Sequence, residues 1–557
     1  NINNINNINN GNIGNHYYNS NYINTEAILL SKAEREEQAI KRFDILGIPS
    51  LLFAFVAMIS LHNSFYGISN VFAAIAAVSY IFHIAKVYKK TPGKFIIFNC
   101  VICILLSISN FITGNDGIIF FNYCGIIMLI IVNELYIFAD VSGANLTSHI
   151  ILIVITLFNS LGNLTYPVSD LIAKQKNTKI EKNSTTVHII IGVCISIPMV
   201  IIIGSLLASA DQIFSESFGF ISKLVNPDYL ITQLIGLAFL FLFSYFSSYV
   251  LTSFFTERSV TAKKGKAIHF EPVIAIIVTS SVSVMYIFFC AIQIYYLFLR
   301  NGTLPDNYTY AQYAREGFFQ LLAVCVINIL IVLICNEFFG YNKVLSAVNL
   351  VISGCTFIMI ASSAYRMLMY ISEYGLTTTR VFVLWFLTLL TFIMIGLIVQ
   401  ICNNSFNLFR YCVITVSACY LILSLGHIDY LIAYYNLNMY GNTLSTAVDT
   451  DYSEDHSYDY VDFEYINQLS TDAAPAIAAH SDQMIEFLKN YDNYYSEGME
   501  PDDYTSSDNY GYDIKYCSWA HIHYKESDGY EQNKIGIRNF NVSHYIAQKL
   551  FTKYYVE

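Results

Sequence analysis

The stretch VFVLWFLTLLTFIMIGLIVQI, residues 381–401, carries no charged side chain in 21 consecutive positions. As an α-helix it would be roughly 30 Å long, the thickness of a bilayer's hydrocarbon core. Comparable runs occur at 45–61, 67–87, 95–113, 118–139, 146–164 and 187–210, then at 230–255, 272–299, 318–339, 344–371 and 411–434. The runs are continuous rather than alternating, which favours helices over the strands of a barrel. Many are rich in Ile, Val and Phe, residues that prefer strands in water. In lipid the backbone must satisfy its own hydrogen bonds, and helix prevails. The expected fold is an all-α polytopic membrane helix bundle of about 11–13 spans, with a small acidic α or α+β soluble domain at the C-terminus.

Composition agrees. The chain is 55% hydrophobic and 13% charged, where soluble domains run near ~25% charged. Residues 436–557 hold 7 Lys/Arg against 21 Asp/Glu, and the preceding 435 hold 23 against 20, so the net charge of −11 comes from the tail. An acidic tail argues against binding nucleic acid, which demands cationic charge. Five regions are expected: an Asn/Ile-rich leader at 1–24 whose composition cannot build a core, a charged juxtamembrane helix at 25–44, the bundle at 45–435, an acidic linker at 436–460 and a C-terminal soluble domain at 461–557.

Eleven of the 12 cysteines precede residue 436, in or beside apolar runs, which is no disulfide framework. Cys100 and Cys103 form a C-x-x-C inside a span and read as small hydrophobes. In the tail, Cys517, Trp519, His521 and His523 alternate along a candidate strand at 514–524. Cys517, His521 and His523 are three candidate ligands, one short of a recognised zinc set, so no metal is expected. No HExxH, GxSxG, Walker or GxGxxG pattern occurs; no cofactor is implied and a non-enzyme is expected.

Three loops are basic: Lys86, Lys89, Lys90 and Lys94; Lys174, Lys176, Lys179 and Lys182; Arg258, Lys263, Lys264 and Lys266. Such loops face the cytoplasm. The last two lie two spans apart and share a side. The first two lie three spans apart and cannot, so an early span is miscounted or re-entrant; 45–61 and 146–164 are the candidates. Residues between 210 and 230 read as an amphipathic interfacial helix.

From residue 272 onward, alternation of direction brings one set of polar residues to one face: Arg300, Tyr313, Arg315, Glu316, Arg366, Glu373, Arg380 and Asp429. Gln312, Glu316 and Gln320 form a stripe at helical spacing, and Arg366, Tyr370 and Glu373 share a helical face. Gly375 fits a helix C-terminus, with the threonines at 377–379 capping the next helix. Asp429 and Asn436 align if their helix continues. A charge in a span costs at least ~2.5 kcal/mol near the centre and is therefore paired or turned inward. The cluster is either a structural ion-pair network or a ligand or ion site at the extracytoplasmic mouth. Glu134 is a further intramembrane carboxylate, read as interfacial. In the tail, Asp472 reads as the N-cap of a helix through residue 488, and 541–555 as a closing helix.

Several blocks carry a resemblance. YAQYAREGFFQ at 310–320, together with Ser363, Tyr365, Arg366, Tyr370, Glu373 and the GLTTTR at 375–380, resembles domain-of-unknown-function family 4173, a group of bacterial multi-span proteins. So do SLLASADQIF at 205–214, the tail's YINQLSTDAAPA at 465–476, and Asn539, Phe540, Asn541, Ser543, Tyr545 and Ala547. The family has no assigned activity. The resemblance implies a bacterial plasma membrane. The basic loops and the alternation of spans put the C-terminal domain on the extracytoplasmic side, and the protein is expected to be sensing, scaffolding or regulatory, with the bilayer and other membrane or envelope proteins as partners. The alternatives are a small-solute or ion transporter using Arg315, Glu316, Arg366 and Asp429, and a membrane-embedded transferase.

Overall fold

The computed structural model describes residues 22–24, 32–141, 144–177, 227–257, 261–263, 270–295, 318–339, 341–403, 405–440, 465–466, 468–480 and 537–551. The chain is a multi-pass membrane protein, an all-α polytopic helical bundle. The helices are α1 (Lys32–Leu61), α2 (Ser69–Val87), α3 (Lys94–Ile112), α4 (Asp116–Phe138), α5 (Leu146–Gly162), α6 (Tyr166–Asn177), α7 (Pro227–Glu257), α8 (Pro272–Gln293), α9 (Phe318–Phe338), α10 (Lys343–Tyr374), α11 (Thr378–Cys402), α12 (Leu408–Leu425), α13 (Ile428–Tyr440), α14 (Ala474–Ala479) and α15 (Val542–Phe551). Ten of these described helices are long and apolar enough to cross a membrane. The sole strand pair among the described residues is Tyr22–Asn24 against Thr261–Lys263. The runs at 187–210 and 210–230, and the candidate strand at 514–524, lie outside the described residues.

Polar loop residues stop and restart the helices. The side chains of Asn115, Asn342, Thr377 and Asn407 accept hydrogen bonds from backbone amides at the starts of α4, α10, α11 and α12. Gly375 ends α10 at φ 72°, a conformation that suits glycine alone without strain. The helices pack as two halves. Leu46, Tyr80, Ile84, Cys100 and Tyr249 centre the first, from α1–α4 and α7. Phe318, Ile352, Met359, Leu390 and Met394 centre the second, from α8–α12. They meet where Ile102, Leu106 and Leu129 pack on Val413 and Leu421 of α12. Large side chains such as Phe239, Phe288 and Ile422 point outward, a surface that hydrocarbon accepts and water does not.

The bundle has a basic end and a capped end. At the basic end, Thr147 donates its backbone N–H to Glu337 at 3.2 Å, Arg410 lies 5.0 Å above the Tyr136 ring, and Phe270 N–H reaches Phe338 O at 3.0 Å. α5 and α6 form a pair bent by 53°, and both lie at this end. His149 of α5 stacks on Phe409, and Lys174 of α6 pairs with Asp44 at 2.6 Å. Asp44 stands 17 residues before the end of α1, about 26 Å of helix. The run at 146–164 is therefore not a crossing, while 45–61 is part of a full 30-residue helix. Lys86 to Lys94, Lys174 and Lys263 consequently share one end, and the conflict over the basic loops disappears.

The twelfth run, 411–434, is also corrected. The chain breaks at Gly426 and His427, the latter at φ 43°, and α13 turns to lie across the capped end. There Ile428, Ile432, Ala433 and Leu437 pack against Ile466, Leu469, Ala473, Ala476, Ile477 and Ala547 from the C-terminal segments.

Candidate functional site

Tyr313, Arg315 and Glu316 lie outside the described residues, as do Arg300, Gln312, Cys517, His521 and His523 and the side chain of Glu373. Gln320 is exposed in the first turn of α9. Arg366 is buried, and its Nη2 donates to Gln293 Oε1 at 3.2 Å, an oxygen that also accepts from Ser362 at 2.8 Å. Arg380 donates to the carbonyls of Tyr374 and Gly375 and lies 4.3 Å over the Tyr370 ring. Arg380 thus supplies positive charge at the C-terminus of α10, where the helix dipole favours it. Asp429 is 2% exposed and accepts from Asn115 Nδ2 at 2.8 Å and from Ser470 N–H at 3.0 Å. Asn436, on the same helix, exchanges two hydrogen bonds with the Leu376 backbone.

The residues that join the C-terminal segments to the bundle centre on Asp472. Its carboxylate accepts from Thr113 Oγ1 and from Gly114 N–H at 2.9 Å, and pairs with His427 at 3.4 Å. Asp472 is therefore not the N-cap expected from its place before Pro475. Ser470 caps the short 3₁₀ turn there, Thr471–Ala473, and frees the Asp472 side chain to reach across. Burial works against the Asp472 charge, but hydrogen bonds from His427, Ser543, Thr113 and the Gly114 amide outweigh it and hold the group below the usual carboxylate range. The hydrogen bond to Asp472 raises the His427 imidazole above its ordinary value, against desolvation. A Cβ on Gly114 would collide with Thr471, so close approach requires glycine.

Asn541 is the second anchor. Its Nδ2 lies 2.8–3.2 Å from the carbonyls of Tyr66, Asn110 and Thr113, and its Oδ1 caps α15 at His544 N–H. Phe540 O accepts from Ile68 N–H at 3.1 Å, and Arg538 reaches the His62 carbonyl at 2.7 Å. Neither His427 nor Asn541 is evident as an anchor in the sequence. The signal available was Gly426 followed by Asp429, a helix stop and start that the flanking apolar runs conceal.

Near the basic end, Arg42 and Asp170 form a buried bidentate ion pair, joined by Tyr249 OH at 2.7 Å from Asp170 and by the Tyr166 ring 4.5 Å from the guanidinium. Interior amides and hydroxyls pair with one another: Asn99 with Asn133, Asn122 with Asn110 and Ser424, Asn328 with Thr356. Among the described residues, no group of three or more His, Cys, Asp or Glu could hold a metal ion.

Fold and site define a polytopic integral membrane protein whose C-terminal segments are bolted to one end of the bundle. The family model that matches is Domain of unknown function (DUF4153), over residues 100–480. That is more than half of the chain, which therefore belongs to this family and not to family 4173. The corresponding blocks at 310–320, 363–380 and 465–476 fall inside the match; the one at 539–547 falls outside it. No curated protein and no solved structure matches the chain.

Proposed function

We propose that this protein is a scaffolding or sensing component of the bacterial plasma membrane, working through the capped end. The carrying observation is the clamp of Asp472 on Thr113, Gly114 and His427, which holds C-terminal segments on the bundle rather than leaving them tethered. The linker expected at 436–460 begins only after α13 ends at Tyr440, and in this reading 461–557 is a domain offered to membrane or envelope partners. The basic residues at the other end support a cytoplasmic location for that end and an extracytoplasmic one for the cap. The mutual pairing of interior polar groups supports a packed bundle over a solvated pathway.

Purified protein in liposomes tests the reading. A scaffold gives no protein-dependent uptake of small ions or amino acids. Uptake that disappears in Arg366→Gln or Asp429→Asn would overturn it in favour of transport.

A further inference from the structure

Glu134 lies in α4, four residues from its end at Phe138, or about 6 Å along the helix. The residue is 2% exposed. Its Oε1 accepts from Thr252 Oγ1 of α7 at 3.0 Å, and its Oε2, fully buried, has no hydrogen-bond partner among the described residues. Thr252 Oγ1 is 3.1 Å from the Tyr80 hydroxyl of α2, and that hydroxyl is 3.1 Å from Ser50 Oγ of α1. Tyr80 also lies 3.2 Å from Ser248 O, and Thr252 Oγ1 lies 3.0 Å from the same carbonyl. Four helices thus contribute to one chain of oxygens that ends on a carboxyl group.

The groups around Glu134 do not compensate a negative charge. Thr252 faces it from α7, Tyr80 from α2 with Tyr88 beyond it, and the adjacent Asn133 faces Asn99 and Cys100 of α3. Among the described residues none of these partners is a cation; Arg42 is engaged by Asp170, which also accepts from the Tyr249 hydroxyl. A bare carboxylate here would carry the desolvation penalty of a buried, unpaired ion, far more than a neutral carboxyl with one unsatisfied O–H.

We infer that Glu134 is an intramembrane proton-binding site, its carboxyl held neutral at the head of the hydroxyl chain Thr252, Tyr80 and Ser50. The proton resides on Oε2 while Oε1 accepts from Thr252. Removing it leaves an uncompensated charge among α1, α2, α4 and α7, so proton occupancy is linked to how these four helices pack. The ligand is a proton, and the site is independent of the C-terminal clamp and of the scaffold reading.

Infrared difference spectra of the full chain in lipid, taken at neutral pH between H₂O and D₂O, test this. The expected result is a carboxylic-acid C=O band that shifts on deuteration, is lost in Glu134→Gln, and moves in Thr252→Val, where the hydrogen bond to Oε1 is missing. Should Glu134→Gln fail to fold, Thr252→Val alone decides. A spectrum in which the Glu134→Gln variant retains every carboxylic-acid band, or in which Thr252→Val leaves all of them in place, overturns the assignment.

Discussion

Replacing Asp472 by Asn should release the C-terminal segments from the bundle. The wild-type carboxylate takes a hydroxyl from Thr113, an amide from Gly114 and a proton-bearing nitrogen from His427, with its side chain 1% exposed. Hydrogen bonds to a charged group contribute about 1.5–3 kcal/mol each, but they share one carboxylate and are not additive. Asparagine keeps one acceptor oxygen and places an amide donor against a group that also donates. The Asp472 side chain is buried but that of His427 is 39% exposed, so the loss falls short of that for a fully buried pair and comes to about 2–3 kcal/mol. At 1.4 kcal/mol per factor of ten, the undocked population rises roughly 30–100-fold. Hydrogen–deuterium exchange on the purified chain reads this in the amides of α14 and α15, with α10 as internal reference. Asp116→Asn, an exposed change in the first turn of α4, is the control. Protection in α14 and α15 that changes less than about threefold, against the roughly 30-fold floor above, would refute the clamp.

The docking should also depend on pH. His427 is raised when docked, so its contribution is full below the ordinary histidine value of 6.5 and is lost as pH rises through the docked value. Asp472 is lowered, so its contribution is present above the ordinary value of 3.8 and is lost as pH falls through the docked value. Protection of α15 is therefore greatest between 3.8 and 6.5, and His427→Gln should flatten the alkaline limb of the exchange profile. Asn541→Ala removes the bonds to Tyr66, Asn110 and Thr113 and the cap of α15; a loss of about 1–3 kcal/mol is expected in the same exchange measurement. Arg42→Met or Asp170→Leu alone should destabilise the bundle by about 3–5 kcal/mol in thermal unfolding, while the double variant recovers most of it, less about 1 kcal/mol for the Tyr249 hydroxyl left without its acceptor. Arg380→Leu should cost about 1–2 kcal/mol by removing charge from the α10 terminus and from the Tyr370 face.

Element class was legible because a 20-residue apolar run has few stable alternatives in lipid. What such a run does relative to the membrane was less legible. The segment at 146–164 is apolar enough to cross, but contacts of His149, Thr147, Asp170 and Lys174 hold α5 and α6 at one end. The break before α13 was hidden for a related reason: two apolar helices abut with only Gly426 and His427 between them. Alternation alone assigned Arg366, Arg380 and Asp429 to one face. Their partners are a glutamine, two carbonyls, an asparagine and a backbone amide, none of which a charge pattern reveals. Asp472, His427 and Asn541 act across more than 40 residues of sequence separation, beyond the reach of local periodicity.

Cysteine labelling in intact cells bears on the whole arrangement. Asn438 is exposed on α13 at the capped end, and Lys89 is exposed after α2 at the basic end. Over the background of the parent chain, a membrane-impermeant maleimide should label Asn438→Cys before lysis and Lys89→Cys only after it. Equal labelling of the two in intact cells, or labelling in the reverse order, would contradict a C-terminal cap seated outside, opposite the basic loops.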